Sequence, residues 1–94
     1  MIFEWDSKKA AHNLRKHGIG FEEARTVFND PLARIFVDEA HSLDERREII
    51  VGHSVEGDLL LVCFSERVKD VVRIYSARRA TPWERTDYEE HAAT

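Results

Sequence analysis

Three apolar, β-branched segments follow one another between residues 46 and 79 with almost nothing between them. This spacing constrains the fold more than any other feature of the chain. Residues 46–55, 59–67 and 71–79 carry the strand pattern. The first link, Val55-Glu56-Gly57-Asp58, holds the glycine of a hairpin turn, and the second is only Val68-Lys69-Asp70. A parallel crossover needs a dozen residues or more, so such short links oblige antiparallel neighbours. Residues 59–67 are the most apolar and are read as the central strand. Gly52 is expected to mark a bulge. Residues 32–38 add a fourth strand to this meander, and Ile2-Phe3-Glu4-Trp5 is a short strand of its own.

The rest of the chain reads as helix. Asp6-Ser7 offers an N-cap to a helix over residues 8–17, which ends at Gly18, where a C′ glycine is expected. Its apolar positions, Ala10, Ala11 and Leu14, predict one narrow buried stripe. Phe21, Ala24, Val27 and Phe28 predict a second helix over residues 21–28, closed by Asn29-Asp30-Pro31. Thr81, Pro82 and Glu84 form a capping box opening a third helix that runs to about His91. The expected fold is α+β: an antiparallel sheet, made of the short N-terminal strand plus the four-strand meander, with two N-terminal helices and one C-terminal helix on one face. No linker, repeat or low-complexity tract interrupts it, so residues 1–94 are expected to form a single domain.

Charge narrows the function. The chain is acidic, with a net charge of −4, yet residues 67–85 hold six of its fourteen basic side chains against two acids. Five of those six are arginine, the side chain that forks bidentately onto phosphate. A local anionic target is implied, RNA first among candidates, while the overall acidity argues against broad coating of DNA. The longest apolar run, residues 59–64, is too short to span a membrane. The first residues show neither a basic nor an apolar signal region, so a cytoplasmic protein is expected. The single cysteine, Cys63, sits in that apolar run and reads as a buried small side chain rather than a nucleophile.

Alternation along the strands predicts two faces. On the last strand Val72, Ile74, Ser76 and Arg78 are expected on one side, and Arg73, Tyr75, Ala77 and Arg79 on the other. One sheet face should lie under helices. The other should carry arginines, a histidine and some apolar groups, a platform on which arginine holds phosphate and tyrosine stacks a base.

Several residue strings together resemble a known family. They are Phe3-x-Trp5-Asp6-x-x-Lys9, then Asn13-x-x-Lys16-His17-Gly18-Ile19-x-Phe21-x-x-Ala24 and Val27-Phe28-x-Asp30-Pro31. Glu45-Arg46-Arg47 follows, then Arg73-Ile74-Tyr75-Ser76-Ala77-Arg78-Arg79-Ala80 and Glu84-Arg85-x-x-Tyr88-Glu89. In this order they are similar to the BrnT toxins of type II toxin–antitoxin systems, over almost the whole chain. The family commonly has a β-branched aliphatic at position 75 and a neutral residue at 66. The resemblance implies a RelE-like fold and a metal-independent ribonuclease that arrests translation. It also implies a DNA-binding antitoxin of the BrnA type, assembled with the toxin as two and two.

RNA cleavage without a metal needs a base for the 2′-hydroxyl, cations for the phosphorane and an acid for the 5′-oxygen. No carboxylate cluster of the DxD type and no His–Cys zinc spacing appears, so neither metal nor other cofactor is indicated. Arg67, Arg78 and Arg79 are the first candidates for transition-state stabilisation, with His17 and Tyr88 for proton transfer. Lys16, Arg73, Arg47 and His53 are candidates for RNA binding. Lys9, Asn13 and Lys16 share a helix face and are weighed for RNA contact against plain solvation. His12 and His41 are assigned to the surface. The strand-end arginines can instead be solvated or paired with Glu84, Asp87 and Glu89, and the competing function is a non-catalytic RNA-binding or corepressor module of the same fold.

Overall fold

A computed structural model describes residues 1–92. The meander forms as expected: β2 (Arg34–Val37), β3 (Glu48–His53), β4 (Leu59–Val68) and β5 (Val71–Arg79) pair antiparallel in sequence order. The sheet as a whole is mixed, in the order β1-β5-β4-β3-β2. β1 (Ile2–Glu4) runs parallel to β5, with Phe3 opposite Val72. Turn length dictates direction only between strands adjacent in sequence. In sequence, β1 and β5 are separated by the other strands and helices, so no turn forces them to be antiparallel.

The helices also depart from expectation. α1 (Ser7–His17) begins at Asp6, whose Oδ1 accepts from the Lys8 and Lys9 N–H groups at 2.8 and 3.2 Å. It ends at Gly18, in the left-handed region at φ 72°, as its C′ position requires. α2 is a single turn, Phe21–Ala24, continued as a 3-10 segment Arg25–Asn29. A 3-10 turn eclipses positions three apart. Ala24 and Val27 therefore stack into the same buried side, and Phe28 inserts edge-on between Phe3 and Phe64, with ring centroids 5.2 and 5.0 Å apart.

Ile19, Phe21, Ala24 and Val27 pack on one sheet face, against Ile50, Leu60, Val62, Phe64, Val72, Ile74 and Ala77. α3 (Pro82–Ala92) lies on the opposite face, where Tyr88 packs with Val51 and Leu59. The helices are thus not confined to one side. The capping box holds: the Glu84 N–H donates to Thr81 Oγ1 at 3.2 Å, and the Thr81 N–H donates to Glu84 Oε1 at 2.8 Å.

One irregularity in β5 sets which residues face where. Cys63 pairs with Ser76, but Phe64 pairs with Ile74, so Tyr75 is an extra residue in β5. The bulge resets the alternation. Ala77 joins Val72 and Ile74 in the core, and Ser76 joins Arg73, Tyr75 and Arg78 on the other face. Gly52 is not a bulge; it sits in register opposite Leu60. A Cβ there would lie 2.9 Å from both Ala33 Cβ and Asp30 Oδ2, so glycine is required for close packing.

β5 extends past the end of β1 and would leave an unpaired edge. The Asn13 side chain of α1 fills that place. Its Oδ1 accepts from the Ala77 N–H at 3.0 Å, while its Nδ2 donates to the carbonyls of Ala77 at 2.8 Å and Ile19 at 2.9 Å. The amide imitates a strand partner and fixes α1 along the sheet. Asn13 is therefore a buried structural group, not a solvated or RNA-facing one.

Candidate functional site

Fixing α1 at the β5 edge creates a cleft of about 780 Å³ between the helix and the sheet face opposite the main core. Lys8, Lys9, His12, Lys16 and His17 line it from α1. Arg47, Ile49, Leu61, Cys63, Tyr75, Ser76 and Arg78 line it from the sheet, and Asp38 and His41 from the loop after β2. Five permanent cations and three histidines face a single carboxylate, Asp38. The cleft is a basic concavity in an acidic protein, a charge arrangement that suits an anionic ligand.

Tyr75 occupies one part of the cleft. Its hydroxyl donates to Glu45 Oε1 and accepts from the Ser65 hydroxyl at 2.8 Å. The Arg47 guanidinium carbon lies 3.9 Å from the ring centroid and Lys9 Nζ 5.5 Å from it, both cation–π contacts. Arg47 Nε is buried without a hydrogen-bond partner among the described residues. Burial, with help from the bond to Glu45, raises the Tyr75 hydroxyl above its ordinary range. Glu45 is in turn held low, first by Tyr75 and then by Arg67.

Arg78 points into the cleft but is clamped from behind. Its Nη1 and Nη2 donate to the two carboxylate oxygens of Glu84 at 2.8 and 2.9 Å. Glu84 is the capping-box residue, so the start of α3 and the cleft arginine are one unit. The Arg78 contact holds the Glu84 carboxyl down to about 2. A folded value below the ordinary carboxylate value means that the pair stabilises the fold above about pH 4.5 and that this contribution is lost as the pH falls towards 2. Wild type should therefore exceed Glu84→Gln in stability near neutrality, and the gap should narrow through that window in urea titrations followed by circular dichroism.

Asp38 and His41 form a pair across one 3-10 turn, with His41 Nδ1 2.9 Å from Asp38 Oδ2. Cys63 Sγ donates to the same oxygen at 3.5 Å. Burial, reinforced by Asp38, pushes the Cys63 thiol up to about 11, so it stays protonated near neutrality.

Of the residues singled out from sequence, His17, Lys16, Arg47 and Arg78 meet in this cleft. Arg67 and Arg73 line a separate recess, paired with Glu45 at 3.1 Å and Glu4 at 3.4 Å. Arg79 falls on the helix side of β5 because of the bulge. It donates to the His17 carbonyl at 3.2 Å and lies 3.6 Å from Asp58, closing the C-terminus of α1. Tyr88 and His53 sit away from the cleft, at Asp30. Asp30 Oδ2 accepts from the Tyr88 hydroxyl at 2.9 Å and the His53 N–H at 2.7 Å. Burial pushes Asp30 up, but these bonds and that from Leu32 outweigh it and hold the carboxyl low. Burial and the bond to Asp30 push Tyr88 up to about 12.

Sequence reading left Lys8, His12, Asp38 and His41 out of the site. Lys8 and His12 stand four apart and Lys9 and Lys16 seven apart, a helical spacing that was available as a signal. The polar loop holding Asp38 and His41 has no periodicity to read. Among the described residues, the carboxylates of Glu23, Glu56 and Asp58 converge within 4.8 Å of one another, outside the cleft. Ser54 Oγ donates to Glu23 there, and burial together with the neighbouring acids raises the Glu23 carboxyl. No helix among the described residues is long and apolar enough to cross a membrane.

A family model described as the ribonuclease toxin, BrnT, of type II toxin–antitoxin systems matches residues 5–84. The fold is similar to that of the Brucella abortus ribonuclease toxin, BrnT, known from a crystal structure. The TM-score is 0.65, over 86% of this chain and 99% of that one, at 21% sequence identity. No curated protein matches the chain.

Proposed function

Because this chain belongs to the BrnT family of ribonuclease toxins of type II toxin–antitoxin systems, we propose that its basic cleft cleaves RNA without a metal ion and so arrests translation. The observation that carries this reading is the cleft itself, lined by Lys9, Lys16, Arg47, Tyr75 and Arg78 with Asp38 as the one carboxylate in its lining. Arg78 presents a planar guanidinium, held flat by Glu84, to the scissile phosphate and to the charge that grows on it. Lys16 and Arg47 hold neighbouring phosphates, and the Tyr75 ring offers a face to a base. His17, also in the cleft lining, exchanges the proton with a reacting oxygen. Arg67 and Arg73, on the same sheet face, extend the phosphate track. Arg79, Tyr88 and His53 take no part in it.

A type II system pairs its toxin with a protein antitoxin. For this chain we take it to be a BrnA-type DNA-binding protein, assembled as two toxins with two antitoxins. The ion pairing of Arg78 favours the competing reading, a module that binds RNA and does not cut it. Induced expression of this chain alone in bacteria separates the two. The expected result is growth arrest with fragmentation of cellular RNA, and cleavage by the purified protein that persists in a chelator. Normal growth with soluble, folded protein and intact RNA would favour the non-catalytic module.

A further inference from the structure

We propose that His41, oriented by Asp38, is the general base that activates the RNA 2′-hydroxyl. This rests on the ribonuclease reading above and deepens it. His41 sits on the short turn Glu39–His41, and the geometry there is a carboxylate–imidazole dyad. The Asp38 side chain is 11% exposed and its partner imidazole 65% exposed, so the acid lies at the floor and the ring stands in the cleft.

The floor is fixed on several sides. The Asp38 N–H donates to the Arg47 carbonyl at 2.8 Å, which ties the turn to the residue entering β3. Ser42 Oγ donates to the Asp38 carbonyl and accepts from the Arg47 N–H at 2.9 Å. Cys63, protonated near neutrality, donates to Asp38 Oδ2 from β4. With Oδ2 accepting from Nδ1, the imidazole keeps its proton on Nδ1 and offers the Nε2 lone pair. This is the tautomer a base needs. Charged neighbours set its surroundings. Arg47 of β3 and the basic face of α1 share the cleft, while Asp44, Glu45 and Arg67 line the recess on the other side of the turn.

The step balances. His41 Nε2 takes the 2′-hydroxyl proton, and the 2′-oxygen bonds to phosphorus. The P–O5′ bond breaks, leaving its electron pair on the 5′-oxygen, which takes a proton from protonated His17. The products are a 2′,3′-cyclic phosphate and a 5′-hydroxyl. Asp38 touches no reacting atom; it is a positioning residue.

The test uses the purified full chain, a fluorescent single-stranded RNA, and the same oligonucleotide with 2′-deoxyribose as an uncleavable binding probe. His41→Gln should lower kcat by about 10²–10⁴-fold, the range for a lost general base. Binding of the deoxy probe should stay within about twofold, since little phosphate contact is lost. The limb of the pH–rate profile that rises from acid should flatten. Asp38→Asn should lower kcat while leaving binding of the deoxy probe unchanged, because an amide in place of the carboxylate can hold the imidazole in the other tautomer. Wild-type kcat in His41→Gln, or an unchanged rising limb, would overturn the proposal while leaving the ribonuclease reading intact. A folded wild type that binds RNA but cuts none would overturn both. Melting curves of each variant show that the fold is kept; the exposure of His41 makes glutamine benign there.

Discussion

Replacing Arg78 with alanine is expected to lower RNA cleavage by about 10²–10³-fold, the usual cost of removing one preorganised donor to a developing oxyanion. Arg78 is the cleft cation whose guanidinium plane is fixed by two parallel bonds to a single carboxylate. That fixation removes the orientational freedom that a surface arginine would have to surrender on binding phosphate. The variant should still fold. Glu84 keeps its bond from the Thr81 N–H, and the guanidinium is only half-buried. Arg78→Lys should recover part of the binding and little of the rate, because a point charge replaces a fork. The measurement is initial rate at saturating RNA for the three proteins, with growth arrest on induction as the cellular readout. An alanine variant as fast as wild type would move the chemistry away from β5.

The largest effect on stability is expected at Asn13. Asn13→Leu preserves the volume but strands the Ala77 N–H and the carbonyls of Ala77 and Ile19 inside the protein. Each buried group left unpaired costs about 1–3 kcal/mol. The combined loss, at least about 3 kcal/mol, is a large fraction of the roughly 5–15 kcal/mol that holds a domain of this kind together. At about 4–8 °C per kcal/mol, the midpoint should drop by at least about 12 °C. Asn13→Asp should fare no better, since it loses both donated bonds and buries a charge. Thermal melts by circular dichroism decide this. A shift of only a few degrees would mean that α1 is held chiefly by packing. Because α1 carries Lys9, Lys16 and His17 into the cleft, a cleavage assay below the midpoint should also show loss in any variant that folds.

The elements that sequence reading finds in this chain are those governed by neighbours in sequence. The short links at Gly57 and Asp70 oblige the meander, Gly18 ends α1, and Thr81 with Glu84 opens α3. What it misses is decided at a distance. Nothing near Ile2 says that its strand will run parallel to β5, and nothing near Pro82 says that α3 will cross to the other face. The bulge at Tyr75 is a single-residue event with a large consequence. Strict alternation placed Arg79 beside Arg73 on one side and Ser76 beside Val72 on the other, and the extra residue exchanges them. The candidate site follows the same division. Arginine enrichment points to Arg78, and a helix-end pattern to Lys16 and His17. Asp38 and His41 sit in an aperiodic loop, and only the fold brings them to the cleft.

The pairing of β1 with β5, and of Asn13 with Ala77, also bears on synthesis. One wall of the cleft is made from residues 8–17, and the opposite wall needs Tyr75, Ser76 and Arg78, with Glu84 behind them. Contacts this far apart in sequence cannot form before both segments have been synthesised. A nascent chain emerges N-terminus first. It displays the lysines of α1 early, but it has no assembled cleft until its last strand and the start of its last helix have been made. The ribosome making this chain thus releases most of it before any cleft exists.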